Sequence, residues 1–335
     1  MNMKMLNSIR FGILALLSIL IVSCKDKDGT SLLPGITGSA FDVLVVGSPK
    51  VWRNPAGKVL FDVLNEDMPG LPQSEPLFNI SFTSEKDFSS ILRPVRNIIL
   101  FQIDDGLYTQ GRISYLRNQW AKPQAVVRIT APNEEEFVRI VKEKKDEYIA
   151  FFEEAERSRA RSYFNRSSFP EGAKILKEQF GVHATIPSTL NKSKIGTDFV
   201  WFSNGSYDLR QDIIVYRYPY TGPDDFKLAN LLQKRDSVLK ANIEGPTSNS
   251  YMTTEHRFDV TYKEMNIDGI HRVLMRGLWR VEGDLMGGPF VSKSYLDKDR
   301  NQIITIEGFI YAPSHKKRNH IRQLESVIHS LKFQE

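Results

Sequence analysis

The sequence predicts an α+β protein: two antiparallel-sheet subdomains, each with helices packed on its sheet. Three observations predict it. Many β-rich runs follow one another through short polar turns such as Asp297-Lys-Asp-Arg-Asn301, whereas parallel pairs need long crossovers. Amphipathic stretches at helical spacing lie between groups of these runs and at the end of each half. A segment rich in Ser, Asn, Arg, Pro and Gly, 161–172, divides the chain, so that 41–164 forms one subdomain and 165–335 the other.

In the first half, Phe41–Val46 is a short β-rich run stopped by Gly47-Ser-Pro49. Asn54-Pro55 starts a helix with Pro at its first position, and Val59, Leu60, Val63 and Leu64 recur at helical spacing. Phe78–Phe82 and Asn97–Ile103 read as strands, as do Ile113–Trp120 and Gln124–Thr130. The longest helical signal runs from Asn133 to about Tyr163. Asn133 caps it, Glu136 stands three residues on as in a capping box, and Phe137, Val141, Tyr148, Phe152 and Ala155 form one apolar stripe.

In the second half a helix over Ala173–Phe180 precedes strands at Val182–Ile186, Phe199–Ser203 and Asp212–Tyr218. Pro223-Asp-Asp225 opens a helix to about Lys240, with Leu228, Leu231, Leu232 and Val238 on its core face. Four longer strands follow: Tyr251–Tyr262, Ile270–Val281, Phe290–Leu296 and Gln302–Ala312. Ile321, Leu324, Ile328 and Leu331 mark a terminal helix. In element order this half resembles the PsbP/Mog1-like fold.

The N-terminus reads as an export signal. Lys4 and Arg10 with no acid form a basic start, and Phe11–Val22 is an apolar run shorter than the ~20 residues a spanning helix needs. It ends in Ile21-Val22-Ser23-Cys24, which resembles the lipobox of bacterial lipoproteins. In such proteins the cysteine thiol takes a diacylglyceryl group and residues 1–23 are removed. Cys24 is the only cysteine, so no disulfide forms within the chain and no thiolate metal site exists; lipidation gives that cysteine a reason. Stable anchoring takes two or more acyl chains, palmitate among them. Residues 24–40 then read as a lipidated tether. Its Lys25-Asp-Lys-Asp28 resembles a surface-export signal of Bacteroidetes lipoproteins, or serves as a plain polar spacer.

Removal of 23 of 335 residues leaves 312, enough for one large domain or two smaller ones. The signal carries two basic residues and no acid, so the formal charge falls from +5 to +3. Basic and acidic residues are interspersed along the chain, which argues against a dedicated nucleic-acid surface.

Three further stretches join the lipobox in a family resemblance. They are Arg235–Pro246 with Ser250-Tyr-Met252, Gly277–Phe290, and Ala312–Arg318 with Arg322–Glu325. Together they resemble an uncharacterised family of Bacteroidetes envelope lipoproteins, a domain of unknown function. The resemblance implies a bacterial envelope location and brings no activity or catalytic residue.

The nucleophile elbow, the zinc-protease helix motif, the Walker loop and the dinucleotide fingerprint are all absent from the sequence. The six histidines show no strong metal-ligand spacing, so no metal and no cofactor is expected. Asp104-Asp105 and Asp224-Asp225 read as a turn and a helix first turn. The most unusual segment is Trp279–Phe290. Gly287 and Gly288, followed by Pro289, either make a tight bend between strands or leave room for a ligand or partner. In the second case Arg276, Trp279, Arg280 and Met286 line the surface. His315-Lys316-Lys317-Arg318 opens the last helix, where cations oppose the helix dipole; Lys316, Lys317 and Arg318 are either solvated or hold an anion. Asp236-Ser-Val238 resembles an O-glycosylation signal of Bacteroidetes exported proteins, at a helical position.

The sequence thus leads to a membrane-anchored envelope lipoprotein on the outer membrane, on its periplasmic or surface face. It acts as a non-catalytic binding or assembly module for an envelope protein or glycan. The alternative is an envelope hydrolase whose active site would bring residues such as Arg276, Asp284 and His256 into one cleft.

Overall fold

The computed structural model describes residues 33–334. Cys24, the signal segment and most of the expected tether lie outside the described residues. Gly35–Glu335 forms one compact unit. No helix among the described residues is long and apolar enough to cross a membrane.

The α+β class holds. A five-stranded sheet comes first, built from β1 (Asp42–Gly47), β2 (Asn79–Ser84), β3 (Asn97–Ile103), β4 (Arg112–Arg117) and β5 (Ala125–Ala131) in the order β2-β1-β3-β5-β4. Only β4 runs antiparallel to its neighbour, and the other pairs are parallel. This differs from the antiparallel pairing expected for the first half. The reason lies in burial: strands covered on both faces read as unbroken apolar runs, the mark of a parallel sheet. Leu44, Val46, Ile98 and Val126 fill one face, while Val43, Val45, Ile99 and Val127 fill the other.

Helix α1 (Pro55–Leu64) connects β1 to β2, and the Asn54 side chain caps it by accepting from the Ala56 and Gly57 amides. The single long helix expected from Asn133 is two, α2 (Glu134–Glu143) and α3 (Lys145–Arg166). Between Val141 and Tyr148 the stripe would need an apolar residue where Lys144 and Lys145 stand. The break there lets α3 turn Tyr148 and Phe152 wholly into the core. Asn133 does cap α2, accepting from Glu136 N. The Glu136 carboxylate instead accepts from Gly111 N and Arg139, so the capping box is half formed.

The segment α4 (Pro170–Ile175) leads through a wider turn to β6 (Val182–His183). The second sheet has eight strands and is antiparallel throughout, as the short turns predict. Its members are β7 (Lys192–Ile195), β8 (Phe199–Ser203), β9 (Arg210–Pro219), β10 (Tyr251–Thr254), β11 (Thr261–Ile267), β12 (Ile270–Glu282), β13 (Gly287–Asp297) and β14 (Gln302–Tyr311). The order is β10-β12-β13-β14-β9-β8-β7, with β11 also on β12. The long strand expected over Tyr251–Tyr262 is interrupted, and residues 255–260 loop out between β10 and β11.

Alternation along the strands assigns the two faces of this sheet. Val291, Ile304, Ile306 and Ile310 meet α6 (Arg318–Ile328) and α3 in a cluster shared with the first sheet. Phe290, Ile303, Phe309 and Tyr216 meet α5 (Leu228–Asn242) on the opposite face. β15 (Lys332–Phe333) pairs with β6 and closes the chain.

Candidate functional site

The β12–β13 hairpin borders a concave surface. Its turn lies at Gly283–Met286, where Gly283 adopts a φ of +85° and Asp284 accepts from the Met286 amide at 3.0 Å. Gly287 and Gly288 are therefore not the bend; they belong to β13, opposite Arg280 and Trp279. Their smallness serves close approach. A Cβ on Gly288 would overlap the Ile310 carbonyl and come within 3.2 Å of Trp279 Nε1, and one on Gly287 would meet Trp279 O at 2.8 Å. With no side chain there, the indole reaches across and Nε1 donates to Ile310 O at 3.2 Å.

Trp279 is only 4% exposed. It packs edge-on against Phe309 with 5.7 Å between ring centres, and near Tyr311. Removing so large a buried ring costs about 3–5 kcal/mol. It is the floor of the site rather than a projecting anchor.

The cleft above this floor holds about 490 Å³ and draws on four separate segments. Pro72 and Gln73 come from the first half, Glu255, Arg257 and Phe258 from the 255–260 loop, and Leu285 and Met286 from the hairpin turn. Pro313 and Lys317 precede α6. Leu285 is fully exposed and Phe258 is 58% exposed, so two apolar side chains stand free at its mouth. Glu255 organises the cations: it accepts from Arg257 Nε at 2.9 Å and Nη2 at 2.6 Å, with Arg280 4.0 Å away. Those Arg257 hydrogen bonds hold the Glu255 carboxyl down to about 2. Arg280 also pairs with Glu282.

Of the residues singled out in the sequence, Trp279, Arg280, Met286, Gly287 and Gly288 come together here, joined by Lys317. Arg276 and Pro289 do not. Arg276 lies further along β12, on the face opposite Trp279, paired with Glu325 of α6, and burial holds its guanidinium down to about 10. Pro289 is buried opposite Leu278. Sequence reasoning missed Glu255, Arg257, Phe258 and Leu285. The available signal was an apolar Leu285-Met286 inside a turn and Phe258 between Arg257 and Asp259, since polar residues dominate such places.

The basic start of α6 is already occupied by an anion from the chain itself. The Glu75 carboxylate accepts from Lys317 N at 2.6 Å and Arg318 N at 3.1 Å. Lys317 Nζ donates to Gln73 and to His315 O, and Arg318 Nη1 donates to Pro76 O. These cations thus tie the two halves together, while Lys316 is exposed. The three ionisable residues that a hydrolase would gather are held apart by different partners. Arg276 pairs with Glu325, His256 with Asp236 at 2.7 Å, and Asp284 caps the hairpin turn. No group of three or more potential metal-ligating His, Cys, Asp or Glu side chains occurs among the described residues.

Fold and cleft together define an α+β protein of two main sheets with a surface cleft at the edge of the larger one. Residues 37–165 match a domain of unknown function, DUF8532, and residues 170–330 match another, DUF4837. The resemblance to uncharacterised families is therefore met in both halves. Among curated proteins none has a matching sequence. Among solved structures, the Saccharomyces cerevisiae Ran-binding protein Mog1p is similar over 46% of this chain and 90% of its own, at 11% identity and a TM-score of 0.29. A point mutant of protein Mog1 gives the same values. At that TM-score the likeness carries no argument about function.

Proposed function

We propose that this chain is an outer-membrane lipoprotein, anchored through lipid on Cys24, that acts as a non-catalytic binding module. Its hairpin cleft takes a segment of an envelope protein. The observation that carries this reading is the pair Leu285 and Phe258, exposed at the mouth of the cleft beside Arg257 and Arg280. Apolar side chains grouped with arginines over an aromatic floor are the composition of protein-binding hot spots. The fitting partner segment offers an apolar anchor. The hydrolase alternative has less behind it, because His256, Arg276 and Asp284 are each committed elsewhere.

The test places a photocrosslinking residue at position 285 and, as control, at the distant exposed Ile91, in intact membranes. We expect one specific protein adduct from position 285 that disappears with Phe258→Asp. Equal adducts from both positions, or none from position 285, would overturn the proposal. For the anchor, Cys24→Ala is expected to abolish the lipid-modified mass.

A further inference from the structure

A second pocket, remote in sequence from the hairpin, lies over β7, β8 and the loop after β8, and holds about 330 Å³. Its wall is the Trp201 indole, whose Nε1 donates to Asp212 Oδ1 at 2.8 Å. The Arg210 guanidinium stacks on that ring, 4.9 Å from its centre. Arg210 Nε is committed to Asp212, at 3.1 Å from Oδ2. Its two Nη groups have no hydrogen-bond partner among the described residues.

Lys192 of β7, paired with Ser203 of β8, lines the same pocket. Gly205, at φ +62°, passes so close that a Cβ there would overlap the Lys192 amine; the glycine leaves the amine its place. Lys192 makes no ion pair among the described residues. None of the described residues lining the pocket is acidic, and the nearby carboxylates are engaged: Asp212 with Trp201 and Arg210, Asp208 with His315. Tyr207, 97% exposed, projects at the rim, and Ser193 adds a hydroxyl.

Two free guanidinium donors and an ammonium in a pocket without acids fit an oxyanion, which a guanidinium fork grips in two-point fashion. A rim tyrosine and small hydroxyl donors fit a sugar ring, whose apolar face stacks on aromatics while its hydroxyls hydrogen-bond. We propose that this pocket binds an acidic saccharide, its carboxylate between Arg210 and Lys192 and its ring against Tyr207. The inference is independent of the hairpin cleft.

The test uses the full chain in detergent, labelled with 5-fluorotryptophan, with the Trp201 fluorine signal assigned through Trp201→Phe. The probes are a short oligogalacturonate, its neutral methyl ester and inorganic sulfate. We expect the acid to shift the Trp201 signal saturably and the ester to leave it unmoved. Lys192→Gln should weaken affinity about tenfold, the loss of one charge-assisted contact. Arg210→Gln should weaken it at least as much, and Tyr207→Ala should weaken it too. Arg210→Gln leaves Asp212 buried without its cation and is the variant at risk of misfolding; Lys192 and Tyr207 are exposed, so their variants keep the test decisive. Equal binding of the ester, sulfate alone binding as tightly as the saccharide, or full affinity in Lys192→Gln would each overturn the proposal. So would the absence of any response to the acid.

Discussion

Arg235 and Glu307 face each other as a two-point ion pair, with Nε and Nη2 lying 2.8 and 2.7 Å from the two carboxylate oxygens and both side chains wholly buried. The guanidinium also sits 3.7 Å from the centre of the Phe290 ring. Its Nη1 donates to Thr254 Oγ1 at 2.7 Å, Thr254 donates to Asp236, and Asp236 meets His256 at 2.7 Å. One polar chain thus runs from the middle of the larger sheet, through α5, to an exposed histidine.

Breaking this pair should be far worse than replacing it. Glu307→Leu leaves a buried guanidinium without its anion, at a cost of about 3–5 kcal/mol. The double variant Arg235→Met with Glu307→Leu should recover most of that loss, because neither charge is then buried alone. Urea denaturation of the two single variants and the double closes the cycle. A double variant as unstable as Glu307→Leu would sink the account.

The hairpin glycines separate two kinds of requirement. At Gly288 the obstacle is backbone: a Cβ would overlap the Ile310 carbonyl, and β13 and β14 cannot part without losing their pairing. Gly288→Ala should cost about 3 kcal/mol, the upper end of the range typical of overpacking. At Gly283 the nearest atom is Ser250 Cβ at 3.5 Å, so space is ample and only the positive φ is strained. Gly283→Ala should therefore cost about 1 kcal/mol. Melting temperatures rank the two, and the reverse order would refute the assignment of the turn.

Local patterns carried the elements and failed where distant segments meet. β3 and β8 have the bounds their apolar runs imply, and α6 follows the spacing of Ile321, Leu324 and Ile328. Arg235 occupies a stripe position between Leu231 and Leu239, and Glu307 shares the sheet face of Phe309, so each looks out of place alone. Only their pairing, 72 residues apart, explains both. The same holds for the hairpin cleft. Trp279 and Met286 were visible as an odd segment, but Pro72, Glu255 and Pro313 reach it through long-range folding that no spacing encodes. The parallel sheet was masked for a related reason: β3 and β5 pair with each other while β4, between them in sequence, lies outside at the edge.

Glu75 joins the two halves by capping α6. Its carboxylate takes two backbone N–H groups at the positive end of the helix, where an anion is favoured. Glu75→Gln keeps the shape and removes the charge, and should cost about 1–2 kcal/mol. Hydrogen exchange should rise selectively in the first turn of α6 and in the 72–76 segment. Unchanged protection there would mean that the carboxylate contributes little to the joint.

Lys293 gives the fold a pH dependence in the alkaline range. Its side chain points into the shared core beside Tyr295, with Nζ 5.3 Å from that ring centre. Burial, and then the Arg272 and Arg157 charges, push its amine down from 10.5 to about 8. Between those values the unfolded chain binds more protons than the folded one, so stability rises as pH climbs from about 8 toward 10.5. Below about 8 the full penalty of a buried ammonium is present. Lys293→Met removes it and should stabilise the protein at neutral pH by up to about 3 kcal/mol. The gain should shrink steadily as the wild-type amine loses its proton and nearly vanish by about pH 10.5. Denaturation midpoints of both proteins at neutral and alkaline pH measure this, and an equal gain at both would assign the effect to packing instead of charge.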